Sequence, residues 1–150
     1  MADEATLAAG TIVKFDTELV APTFAKFIKG VISVGSVGEM AESKERTVLA
    51  DTSKKYGAGM KDAPDKTIKG QHYALNADQK AFLTAAKNNE TVMVQVEYPA
   101  PVGADTGTIA KMEFKLLGFE LDDVTGEDWM MFTVNAKQNS IEWTDAVATA

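Results

Sequence analysis

Thr91-Val92-Met93-Val94-Gln95-Val96-Glu97-Tyr98 is the stretch that decides the fold. Val92, Val94, Val96 and Tyr98 alternate with Thr91, Met93, Gln95 and Glu97, the period-2 pattern of a strand with one buried face. A second stretch repeats the pattern. Ala110, Met112, Phe114 and Leu116 point one way, and Lys111, Glu113 and Lys115 the other. The parity then shifts to Leu117, Phe119 and Leu121 around Gly118, which predicts a β-bulge. Downstream, Asp122 to Asp128 reads as an acidic turn, Trp129 to Ala136 as the last main strand, and Ile141 to Trp143 as a short addition.

Upstream of the valine strand lies one helix, predicted over Asp78 to Lys87. Asn76 is its N-cap, Gln79 follows in capping-box position, and Leu75, Phe82, Leu83 and Ala86 form the apolar stripe. Lys87 supplies positive charge where the helix dipole favours it. Phe82 and Leu83 are predicted to share one core with Val92, Val94, Val96, Ala110, Met112, Phe114 and Leu116. Nearer the N-terminus, Ile12 to Asp16 is a short strand before Pro22. Phe27 to Val37 is a glycine-punctuated strand with Ile28, Ile32 and Val34 on one parity. Glu39 to Val48 is a charged, solvated or interface strand. Asp51 to Asp65, with Gly57, Gly59 and Pro64, reads as a long loop, and Lys66 to Tyr73 as a strand again. Loops longer than about 12 residues inside compact domains need a functional reason.

These readings give a mainly β (α+β) class: a β-sandwich or barrel with one flanking α-helix and a long inter-strand loop. The 150 residues suit one domain over 1–150. Residues 1–11 are expected as a flexible N-terminal arm and 144–150 as a flexible C-terminal tail. Asp3 and Glu4 stand where a signal peptide wants positive charge. No stretch reaches the roughly 20 apolar residues of a membrane span, so no membrane anchoring is expected.

The net charge of −7 is the wrong sign for gripping phosphates, which takes clustered Lys and Arg. There is no cysteine, which removes disulfides, thiolate metal sites and Cys nucleophiles together. His72 is the only histidine, too little for a His metal cluster; its role stays open. No serine lies in a nucleophile elbow. The acidic run does not match an EF-hand loop and reads as a solvated turn rather than a Ca²⁺ site. Gly57-Ala58-Gly59 lacks the strand-to-helix context of a phosphate loop. Trp129 and Trp143 occupy strand positions, where core or interface packing is commoner than a sugar platform. The sequence therefore names no catalytic, cofactor-binding or metal-ligating residue, and the chain reads as a non-enzyme.

Charge is unevenly spread. Glu39 to Lys69 carries seven Lys or Arg against six acids, whereas Glu113 to Ala150 carries two Lys against eight acids. Head-to-tail self-stacking uses such asymmetry; solvated faces arising by chance also produce it.

The order of these elements resembles the tail-tube proteins of long-tailed bacteriophages and, more distantly, the tube protein of type VI secretion. The likeness covers roughly Thr11 to Trp143: a short N-terminal strand, the glycine-punctuated Phe27-Ile28-Lys29-Gly30-Val31-Ile32-Ser33-Val34-Gly35, the charged strand and long loop, the helix, the valine strand and two strands joined by an acidic turn. It implies a structural subunit of a virion tail, assembled in the host cytoplasm into hexameric rings that stack as a conduit for genome delivery. An acidic lining repels phosphates and lets DNA pass without sticking. Partners implied are the chain itself, the tape measure, the tail tip, the terminator and, in contractile tails, a sheath. The long loop and terminal arms make ring-to-ring contacts in this picture. Candidate stacking residues are Asp51, Lys54, Lys55, Tyr56, Lys61, Asp62 and Asp65 in the loop, facing an acidic surface of Glu120, Asp122, Asp123, Glu127 and Asp128. The alternatives are a type VI-like ring-forming tube protein and a monomeric β-domain that binds a ligand through an exposed tryptophan.

Overall fold

A computed structural model describes residues 9–63, 65–123, 125–127 and 129–148. Its elements are β1 (Ile12–Asp16), β2 (Lys26–Phe27), β3 (Val31–Ser33), β4 (Met40–Glu45), β5 (Tyr56–Asp62), β6 (Lys66–Gln71), α1 (Ala77–Lys87), β7 (Thr91–Glu97), β8 (Ala104–Thr106), β9 (Ile109–Leu121), β10 (Met131–Thr144) and β11 (Val147–Ala148). Seven strands form one antiparallel, curled half-barrel sheet in the order β2-β1-β7-β9-β10-β6-β3. Two two-stranded ribbons, β4–β5 and β8–β11, lie outside it. The architecture is a half-barrel of the expected mainly β class, with the expected single flanking helix among the described residues.

The alternating residues place the core as the sequence predicts. Val92, Val94 and Val96 of β7, and Ala110, Met112, Phe114 and Leu116 of β9, are buried together with Phe82 and Leu83 of α1. Val13 and Phe15 of β1, Ile68 of β6, and Phe132, Val134 and Ala136 of β10 complete the layer. Removing each large side chain from water stabilises by about 1.5–3 kcal/mol. The Phe15 and Phe82 rings meet edge to face with centroids 5.2 Å apart, which adds roughly 0.5–1.5 kcal/mol and locks helix to sheet.

Four local readings change. Asn76 caps α1 as expected, its Oδ1 accepting from the Gln79 N–H at 2.9 Å, but Leu75 is 98% exposed and leaves the apolar stripe. Buried Gln79 occupies that face instead. In the glycine-punctuated segment, Gly30 takes φ 83 and its carbonyl accepts from Gln71 N–H. This turn shifts the parity, so Val31 packs on the core and Ile32 faces out. The bulge falls on Leu117 and Gly118 as predicted, with Gly118 at φ 102 and both residues opposite Asn135; Phe119 turns onto the core, while Leu117 and Leu121 stay exposed. A second register shift, between Gln138 and Ser140, lets β10 run unbroken through Ile141 and Trp143, which therefore form no separate strand.

The long loop over Asp51–Asp65 is a strand in its second half. Tyr56, Gly57 and Ala58 pair with Glu45, Lys44 and Ser43. No face of β4 or β5 is buried, so no alternation marks them. At Gly59 a Cβ would crowd the Lys44 stem and the Glu42 carbonyl, so this position favours glycine. Of the expected C-terminal tail, Val147 and Ala148 pair with β8. The expected N-terminal arm lies outside the described residues over 1–8.

Candidate assembly surfaces

Strand β6 gives the molecule two ends. It begins at Lys66, beside the root of the β4–β5 hairpin, and ends at Gln71, beside Met131 of β10. At the first end, Met40 pairs with Asp62 to start the hairpin. Lys137 on β10 holds its base, with Nζ 3.8 Å from Asp62 and 3.2 Å from Asp65. The Lys66 ammonium is buried beneath, donating to the Ser36 carbonyl, and desolvation pushes its pKa down.

The hairpin then stands clear of the body, every residue of β4 exposed. At its tip Asp51 shapes a tight turn. Val48 N–H donates to the Asp51 carboxylate at 2.9 Å, Asp51 N–H donates to the Val48 carbonyl at 2.9 Å, and Lys55 Nζ lies 3.5 Å from that carboxylate. The turn carries Leu49 into solvent at 106% relative exposure, with Val48 beside it. The seven candidate loop residues thus separate. Asp51, Lys54, Lys55 and Tyr56 sit towards the tip; Lys61, Asp62 and Asp65 sit at the root.

The opposite end carries the acidic turn. Glu120, Asp123 and Glu127 are exposed. Asp122 is half-buried, accepting from the Thr133 hydroxyl at 2.6 Å, while its N–H donates to the Met131 carbonyl at 2.9 Å. Four of the five predicted acids therefore share one end; Asp128 lies outside the described residues. Beside them is a pocket of about 370 Å³ lined by Gln71, His72, Tyr73, Trp129 and Met130. His72 N–H donates to the Met130 carbonyl at 2.8 Å, and its Nδ1 is buried without a partner. Trp129 precedes β10 rather than lying in it, and is 80% exposed. Sequence reasoning missed Val48 and Leu49, although an apolar pair next to Asp51 in a polar segment was a signal. It also missed the pocket, which no linear pattern marks.

The sheet face away from α1 is polar. Lys14, Lys69, Lys111, Lys115 and Lys137 are interleaved there with Asp16, Glu97, Glu113, Glu120 and Glu142. Lys14 bonds Glu97 at 3.3 Å, and Lys111 stands opposite Glu142. Acids and lysines balance on this face, so the acidic surplus of the chain sits elsewhere. At one border, the Asp16 carboxylate accepts from the N–H groups of Glu18, Thr23 and Phe24 and from the Thr23 hydroxyl, organising the turn before β2. These bonds, led by that from Glu18, hold its pKa below the usual carboxylate range. Among the described residues no group of three His, Cys, Asp or Glu side chains converges as a metal site, and no helix is long and apolar enough to cross a membrane.

The fold is shared with chains of several solved tail and tube assemblies. The sheath/tube terminator of an extracellular contractile injection system superposes with a TM-score of 0.70 at 10% identity, covering 95% of this chain and 99% of that one. The tail of an empty gene transfer agent particle gives 0.66 at 19% identity, covering 93% and 99%. The SPP1 tail tube gives 0.63 at 14% identity, covering 93% and 78%. No curated protein sequence matches the chain. The phage tail tube protein family matches residues 6–146, and the chain belongs to that family: it is a structural component of a virion tail.

Proposed function

We propose that this protein is the repeating subunit of the tail tube, closing into hexameric rings that stack head to tail as a conduit for genome delivery. The observation that carries the reading is the polarity of the molecule. One end bears a hairpin with Lys44, Arg46, Lys54 and Lys55 near its tip, and the other bears Glu120, Asp123 and Glu127. Unlike ends favour a heterologous contact that repeats without closing on itself, and complementary charge sets its direction. Ring closure has a route in the sheet. β6 pairs with β10 only from Met131 to Ala136, so among the described residues β10 has no strand partner on that side from Lys137 onward.

The polar sheet face suits the conduit wall. Interleaved Lys and acid side chains neutralise one another in place and leave no cation cluster to hold phosphates. On this reading the lining is balanced in charge rather than acidic. Assembly takes place in the host cytoplasm, with tape measure, tail tip and terminator proteins as further partners and a sheath where the tail contracts. Negative-stain microscopy of the purified chain tests the reading. Rings or stacked tubes are expected, whereas a monodisperse monomer under all polymerising conditions overturns it.

A further inference from the structure

We infer that the hairpin tip of one subunit, Val48 and Leu49, docks into the pocket formed by His72, Tyr73, Trp129 and Met130 of a second copy. The inference rests on the stacking reading and names the contact that makes it. An exposed leucine at the end of a two-stranded arm leaves apolar surface in water with no packing gain in the free chain. Here it is held out by a turn that Asp51 fixes through its carboxylate and its N–H, with two hydrogen bonds of 2.9 Å each to Val48. An apolar anchor already locked in one conformation binds with less ordering cost.

The pocket has the complementary character. It is open and concave, about 370 Å³, with Tyr73, Trp129 and Met130 supplying its apolar lining. Trp129 lines it with most of its surface in water, and aromatic anchors of this kind dominate interfaces once covered. The two features lie at opposite ends of β6, since the hairpin springs from the Lys66 end and the pocket closes the Gln71 end. β6 and β4 each span about 20 Å. A tip and a pocket so separated meet between molecules, and each subunit then offers one of each. Charge agrees. Arg46 and Lys54 lie near the tip, while Asp122, whose N–H donates to the Met131 carbonyl, and Glu127, two residues before Trp129, lie next to the pocket residues Met130 and Trp129.

The absence of native cysteine makes the test clean. A variant carrying both Leu49→Cys and Trp129→Cys is treated with a short bismaleimide under polymerising conditions; such a reagent does not require the Cα spacing of about 4.4–6.8 Å that a disulfide needs. A ladder of covalent multimers is expected from the double variant, and none from either single variant. Leu49→Asp, at a fully exposed position, is expected to keep the parent's circular dichroism and its rings while lowering tube yield at least tenfold. Tubes that form normally from Leu49→Asp, with no ladder from the double variant, overturn the docking and leave stacking intact. Dimers from Leu49→Cys alone place tip against tip and also overturn it. A parent chain that forms neither rings nor tubes removes the stacking reading and the docking together. A ladder lost on addition of a soluble glycan or another tail protein, with tubes unaffected, assigns the pocket to that ligand and overturns the proposal.

Discussion

Gln79 shows how one side chain ties three segments. Its N–H donates to the capping Asn76 side chain, as the capping-box spacing suggests, but its own amide does not turn back to the N-cap. Oε1 accepts from Tyr73 N–H at 2.7 Å, and Nε2 donates to the carbonyls of Lys29 and Gln71 at 2.8 Å each. Because the residue is buried, Gln79→Leu strands three main-chain groups. A loss of about 1–3 kcal/mol is expected, read as a lower urea midpoint; an unchanged midpoint means that water replaces these bonds. Asp16 makes a different, pH-dependent contribution. Its folded pKa is depressed below an unfolded value of about 3.9. Its stabilisation is therefore present above the unfolded pKa and lost as pH falls through the folded one. Asp16→Asn is expected to lose less stability than the parent on going from pH 5 to pH 3. Parallel acid limbs in the two proteins show that the turn before β2 adds nothing to folding.

At the scale of elements, the hairpin is separable from the body. Its strands bury no face against the core, so replacing Glu42–Met60 with a two-residue Asn-Gly turn joins Ala41 to Lys61, which are already paired. The expected product keeps the parent thermal midpoint within a few degrees and makes no tubes. A large drop in midpoint shows that the hairpin supports the fold; tubes of normal length remove it from stacking. The same exposure explains why the second strand of this hairpin was illegible, although the charged first strand was read. Period-2 alternation arises only where one face leaves water, and Tyr56-Gly57-Ala58-Gly59-Met60 has none to bury. By contrast the buried residues of β7, and of β9 as far as the bulge, were readable, since each strand has a buried and a solvated face.

For the whole molecule, polarity and charge balance make separate predictions. Reversing Glu120, Asp123 and Glu127 together to Lys leaves the Asp122–Thr133 bond in place. The variant is expected to stack poorly at low salt and to recover partly as salt screens repulsion. One exposed charge is worth only about 0–1 kcal/mol, but each subunit of a ring repeats the change. Parent-like light scattering at every salt concentration moves stacking onto apolar contacts alone. On the polar sheet face, Glu97→Gln, Glu113→Gln and Glu142→Gln leave Lys14 and Lys111 without their acids. Tubes of that variant are expected to retain duplex DNA in a salt-dependent way that parent tubes do not. Equal passage through both means that this face does not line the conduit.

The sequence by itself determined the mainly β class, the core residues of β7, β9 and α1, the bulge at Gly118 and the acidic turn. Each of these is local: the signal is the alternation, cap or glycine of the element itself. Its architecture also sufficed for the resemblance to tail-tube proteins. Only the tertiary structure decided which side of the molecule each surface occupies. Antiparallel pairing of β6 with β10 brings Lys66 to Ala136 at one end and Gln71 to Met131 at the other. That pairing sets His72 beside Trp129 across more than fifty residues of chain and sends Leu49 to the far end. No one-dimensional pattern encodes such a placement, because it depends on strand register between segments that share no local period.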